Sequence, residues 1–144
     1  MNPLKLIYSS LYYDFKKRGN TDNTRANGTL ISTISIFLLL FSGFLLGIIY
    51  IPNFEQKATQ FLIHIFNDKT VVKGLSQLFL VLAFGIIYII IKYTIGTENA
   101  YRKIIEEFNL LTVEQQKRIK KRANPYILTP IILFIITMII LMNK

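Results

Sequence analysis

The sequence predicts an all-α membrane protein. Three observations carry that prediction: apolar runs free of charge, charges collected into blocks, and helical spacing of apolar residues inside those blocks. The chain has 144 residues, 17 Lys+Arg against 8 Asp+Glu, one His, and neither Cys nor Trp. A soluble basic protein of this length interleaves charge through every helix, whereas here four charged blocks are separated by three runs that have none. The length suits one domain-sized unit. The lack of Cys excludes disulfide scaffolds, thiolate nucleophiles, Zn-thiolate sites and iron–sulfur clusters, and a single His cannot build a multi-His metal site. The first 28 residues are polar and amphipathic with no Ala-x-Ala-like cleavage site, so no secretory signal peptide is expected.

Taken in order, residues 1–28 read as a cytoplasmic amphipathic segment and connector. Leu4, Ile7, Tyr8, Leu11, Tyr12 and Phe15 follow helical spacing, while Lys5, Ser9, Lys16 and Lys17 fall on other faces. Pro3 suits a first helical turn, and the expected helix lies on the inner membrane surface. Gly19–Gly28 is rich in Gly, Asn, Thr and Asp and reads as a turn-rich connector. Asn27-Gly28-Thr29 matches a glycosylation sequon, but at an inner membrane boundary it is better read as chance.

Residues 29–51 are the first expected span. Leu30–Ile51 runs 22 residues without charge and contains 15 Leu, Ile or Phe residues. At 1.5 Å per residue it covers about 33 Å, enough for a hydrocarbon core of about 30 Å. Residues 52–74 form an outer loop with an amphipathic helix, its apolar face made by Phe54, Ala58, Phe61, Leu62 and Ile65 and its polar face including His64. It is expected to rest on the outer leaflet or to cap the helices. Residues 75–92 are the second span, flanked by Lys73 and Lys92, whose long stems reach back to the interface.

Residues 93–125 read as a basic cytoplasmic helical hairpin. Tyr101, Ile104, Ile105 and Phe108 make an apolar stripe, and Glu98 precedes Arg102 by the four residues that favour pairing. Asn109–Leu111 interrupts, and Thr112 with Gln115 fits a capping box that opens a second helix. That helix carries Lys117, Arg118, Lys120, Lys121 and Arg122, expected to anchor anionic lipid headgroups of the inner leaflet at about 1 kcal/mol each. The membrane reading already accounts for this cluster, so no nucleic-acid partner is expected. Asn124-Pro125 is expected to end the helix before the third span and the outer C-terminus, residues 126–144. Of the 17 basic residues, 13 fall in residues 1–28 and 92–122. The positive-inside rule therefore places the N-terminus inside and the C-terminus outside. Tyr50, Tyr88, Tyr93 and Tyr126 stand near span ends, as an aromatic belt does.

The charge-free runs Leu30–Ile51, Leu75–Ile91 and Ile127–Met142 hold no Asp, Glu, Lys, Arg or His, and no Ser/His/Asp set, HExxH or phosphate-cradling Gly loop occurs. No enzyme activity and no cofactor are expected, and a transporter is the least favoured of the functional readings. What the spans offer is packing surface. Gly43 and Gly47 form a GxxxG step that Ser35 and Leu39 extend at four-residue intervals, and Gln77 and Gly85 share a stripe of the second span. Homo-oligomerisation through such faces is compatible with the pattern. Pro130 frees the carbonyl of Tyr126 in the third span.

In topology the chain resembles the immunity proteins that protect bacteria from one class of pore-forming colicins. The stretches Tyr12-Tyr13-Asp14-Phe15-Lys16-Lys17 and Tyr101–Gln116 are similar to pieces of small membrane proteins encoded beside bacterial toxins. The resemblance implies a bacterial inner-membrane protein whose spans meet a toxin's hydrophobic helices in the bilayer, through the Ser35–Gly47 face or the outer amphipathic segment. The competing expectation is an accessory or assembly subunit of a larger membrane complex.

Overall fold

A computed structural model of the chain describes residues 2–19, 21, 23–66 and 69–143, without the side chains of 55, 66 and 69–77. Among the described residues there are six helices and no strand: α1 (Pro3–Lys17), α2 (Thr24–Tyr50), α3 (Phe54–Phe66), α4 (Lys69–Thr94), α5 (Glu98–Asn109) and α6 (Val113–Met142). Two of them, α2 and α6, are long and apolar enough to cross a membrane. At 27 and 30 residues they extend about 40 and 45 Å, beyond the hydrocarbon thickness. Leu78–Thr94 of α4, taken with α5 across a 65° bend, is a third candidate crossing.

Local signals explain most helix ends. The Asn2 side chain accepts from Leu4 N–H ahead of Pro3. Thr97 caps α5 by accepting from Ala100 N–H at 3.3 Å, and Glu98 pairs with Arg102 at 3.3 Å. Thr112 and Gln115 form the reciprocal capping box, at 3.0 and 3.4 Å.

Three boundaries differ from expectation. Helix α2 starts at Thr24, so Thr24–Gly28 is helix rather than connector. Helix α6 runs unbroken through Pro125 and Pro130, joining the basic arm to the third apolar run. A mid-helix proline costs about 3 kcal/mol, and extensive packing of α6 on α1 and α2 offsets it. The expected hairpin is not closed on itself either, because α1 lies between its arms. Tyr12 and Tyr13 meet the Phe108 ring edge-on at 6.1 and 6.4 Å, while Asp14 pairs with Lys120 on the other side.

Helix α1 is thus enclosed by α2, α5 and α6. That is why Ser9 and Ser10, one of them read as facing away from the apolar stripe, are buried together with Leu6, Ile7 and Tyr8. Three neighbours cover more of a helix than one apolar stripe can. Ile104 and Phe108 of α5 and Ala123 of α6 complete this core.

Its tightest point is Gly28. A Cβ there would lie 2.6 Å from Cδ1 of Tyr8, so only glycine lets that ring lie on α2. The Tyr8 hydroxyl donates to Thr29 Oγ1 at 2.8 Å, since that oxygen already donates to the Arg25 carbonyl at 3.0 Å. Gly96, at the α4–α5 elbow, is equally close, with a Cβ position 2.8 Å from Thr29 Oγ1. The sequon residues Gly28 and Thr29 are therefore buried helix-packing positions.

The apolar halves pack more loosely and through phenylalanines. Phe84 of α4 meets Phe37 edge-on at 5.5 Å, Phe37 stacks on Phe41 at 5.8 Å, and Phe41 meets Phe134 of α6 at 5.9 Å. Helix α2 is the central member, packed on both α4 and α6.

Two outcomes follow from the Tyr8 junction. Gly28→Ala is expected to lower stability by about 1–3 kcal/mol through overpacking and to increase protease cleavage within α1, read by thermal unfolding and limited proteolysis in detergent. Burial raises the phenol pKa of Tyr8 above its usual 10.0 although the Thr29 bond pulls it down, and burial raises that of Tyr101 as well. An unfolded tyrosine then ionises before these two do. The stability tied to their neutral forms is fully present below pH 10.0 and is lost as pH rises through the raised folded values. Thermal melts across alkaline pH should show that decline, and Tyr8→Phe with Tyr101→Phe should flatten it.

Candidate helix-packing and headgroup surfaces

The GxxxG stripe is not one packed face. Ser35 is buried and Leu39 is 49 % exposed. Gly43 is open, with nothing within 4 Å of a Cβ built on it. Gly47 is covered from within the chain, since Phe54 of α3 lies over it with Cζ 2.9 Å from the Cβ position. The same Phe54 ring meets Phe44 edge-on at 5.5 Å. Gly85 is open like Gly43, and the side chain of Gln77 lies outside the described residues.

Along α6 the buried residues fall on a seven-residue grid rather than a four-residue one. The buried residues of α6 are Ala123, Pro130 and Thr137, each seven from the next. Those of α2 include Ser35 and Ser42, on the same interval. All are small, and among the described residues α2 and α6 make the most extensive helix pair. In a membrane, helices gain little from excluding lipid from an apolar face, so close backbone approach at small residues does more of the work. A seven-residue repeat is the spacing that keeps two helices in register along a left-handed crossing. The hydroxyls on this grid cost little at depth: Ser42 donates to the Leu38 carbonyl and Thr137 to the Leu133 carbonyl, at 2.7 and 2.8 Å. A search of the sequence for small residues at intervals of seven, rather than GxxxG, would have found it.

Helix α3 is only partly seated, on α2 and α4. Phe54, Ala58 and Leu62 of its apolar face are half-buried, whereas Phe61 and Ile65 are 64 % and 55 % exposed. His64 is exposed.

The five-residue basic cluster divides by face. Lys120 turns toward α1, pairs with Asp14, and lies 5.7 Å over the Tyr13 ring. It ties helices together and is not free for a headgroup. Lys117, Arg118, Lys121 and Arg122 are exposed. Neither Asp14 nor the Tyr13 ring was legible as the partner of Lys120, because 106 residues separate acid from base. Elsewhere in the polar half, Lys5 pairs with Glu107 at 3.4 Å and Arg25 with Glu98 at 3.7 Å. Lys16 donates to Asn109 Oδ1 at 3.0 Å. Among the described residues no group of three or more His, Asp or Glu comes together.

No protein family, curated protein or solved structure matches the chain.

Neighbouring residues 42 and 43 separate the two kinds of α2 surface. Ser42→Leu is expected to overpack the α2–α6 seam and lower stability by about 1–3 kcal/mol. Gly43→Leu, pointing into open space, is expected to leave stability within about 0.5 kcal/mol. Thermal unfolding of the two variants in one detergent reads the contrast.

Proposed function

We propose that the protein is a small polytopic inner-membrane protein that acts by helix–helix binding, as the immunity partner of a membrane-targeting bacterial toxin. In this reading α2, the apolar part of α4 and α6 are three crossings, with the N-terminus inside and the C-terminus outside. The packed polar half then lies in the cytoplasm, where the excess of basic residues favours it. The observation that carries the reading is the free flank of α2. Gly43 stands open between Leu39 and Gly47, beside Leu40 at 61 % exposure. A glycine notch on an apolar helix lets a second helix approach closely. The chain's own helices use the opposite resource, the seven-residue seam, and leave this one for a partner. The absence of ionisable residues from the three apolar runs favours binding over transport, and no catalytic set supports an enzyme.

The alternative is an accessory subunit of a larger membrane complex. The exposed apolar row of α4, from Leu78 to Ile90, favours that reading to the extent that a permanent partner covers it. Gentle-detergent purification without any toxin would then recover constant partners.

Cells exposed to the cognate toxin should survive with the gene and die without it. Gly43→Leu should abolish that protection while insertion and stability are retained. Protection unchanged by Gly43→Leu would remove α2's open flank from the mechanism. Orientation is checked separately with Gln60→Cys and Glu114→Cys in a chain that has no other cysteine. An impermeant thiol reagent on intact cells should label the first and spare the second.

A further inference from the structure

Helix α6 arranges the remaining cations of the basic cluster around a groove. Arg118, Lys121 and Arg122 stand at i, i+3 and i+4 on one face. With Pro125 and Tyr126 one turn further on, and Leu6 from α1, they line an open groove of about 610 Å³. The four ion pairs among the described residues are Lys5–Glu107, Arg25–Glu98, Arg102–Glu98 and Lys120–Asp14. None involves a groove cation, so their charge is not spent within the protein. Asp14, the one acid of α1, is taken by Lys120.

The groove changes character along the helix. Along α6 its start is cationic and its far end is Pro125 and Tyr126, with Leu6 of α1 adding apolar wall. Beyond Arg122 the helix carries no charge through Met142. A ligand that fits this order has an anionic head and an apolar tail. A free phosphate would satisfy the cations and leave the apolar wall uncovered. A nucleic acid would need the basic surface to continue where the apolar run begins. Pro125 also has no N–H to give the Lys121 carbonyl, which leaves an acceptor beside the cations for a headgroup hydroxyl.

We propose that this groove is a discrete site for one anionic phospholipid. Arg118, Lys121 and Arg122 hold the phosphate, Tyr126 and Leu6 pack against the glycerol region, and an acyl chain follows α6 past Pro125. The site rests on the reading that α6 crosses the bilayer with its basic half at the inner surface. It differs from diffuse attraction to a charged membrane in depending on position rather than on net charge.

The test uses the full chain in nanodiscs of phosphatidylcholine with phosphatidylglycerol, with retained lipid counted by native mass spectrometry. One phosphatidylglycerol should be retained per protein. Arg118→Gln with Arg122→Gln should weaken retention by about fivefold for each cation removed. Lys17→Gln with Lys103→Gln removes the same charge from exposed positions away from the groove and should leave retention unchanged. Arg118→Lys with Arg122→Lys should keep most of it, which separates loss of a site from loss of fold. Equal weakening by both Gln pairs would overturn the proposal in favour of diffuse attraction. Competition by inorganic phosphate as effective as that by short-chain phosphatidylglycerol would overturn it in favour of a simple anion site. Alkaline extraction of membranes reports insertion independently. A chain released by alkali overturns the crossing of α6 itself, whereas an inserted chain that retains no phosphatidylglycerol overturns the groove alone.

Discussion

Everything in the polar half converges on the close approach of backbone and ring at Gly28 and Thr29. The Tyr8 ring rests where Gly28 has no side chain, its hydroxyl ends on Thr29, and the elbow at Gly96 closes on the same threonine from the α4 side. The Tyr101 ring lies 6.1 Å from that of Tyr8. Four segments distant in sequence thereby share one small volume. Remove the approach and α1 has no seat, the arms α5 and α6 lose the element between them, and the elbow loses its stop. The hydrogen bond at the centre contributes on the order of 1 kcal/mol, and the steric fit around it decides whether the helices meet at all.

The two halves of the protein obey different solvents. Where α1, α5 and the first turns of α2 and α6 meet, large side chains are buried fully: Tyr8 and Phe108 are both 0 % exposed. Removing such rings from water is the driving force there. Further along α2, α4 and α6 many large apolar side chains face outward. In hydrocarbon that exposure carries no penalty, and helices associate through small residues and ring contacts instead. The run of phenylalanines from α4 across α2 to α6, together with the small-residue seam, does so without sacrificing apolar outer surface.

Features written within one helical turn were legible in the sequence. The apolar runs, the capping box at Thr112, the Glu98–Arg102 pair and the helical nature of the N-terminal segment each depend on residues a few positions apart. The rest depended on partners that spacing does not reveal. Nothing local says that α1 is enclosed on three sides, so Ser9 read as outward-facing. Nothing local says that packing on α1 and α2 would carry α6 through Asn124-Pro125. The GxxxG step marked one face of α2, yet its two glycines meet different surroundings. Gly47 is filled by Phe54 and Gly43 is left free. For the basic cluster, composition marked the region, but which cation is spent on Asp14 is a tertiary fact.

The continuity of α6 makes it a single stiff member joining two environments. Its thirty residues carry five cations toward one end and a charge-free stretch at the other. A joint at Asn124 would have let the two ends reorient separately. Without one, any tilt forced on the distal turns by bilayer thickness or by a neighbouring protein must swing the proximal turns through a matching arc. Because Asp14 and Tyr13 of α1 grip those proximal turns, mechanical load applied near Met142 is delivered along the helix to α1.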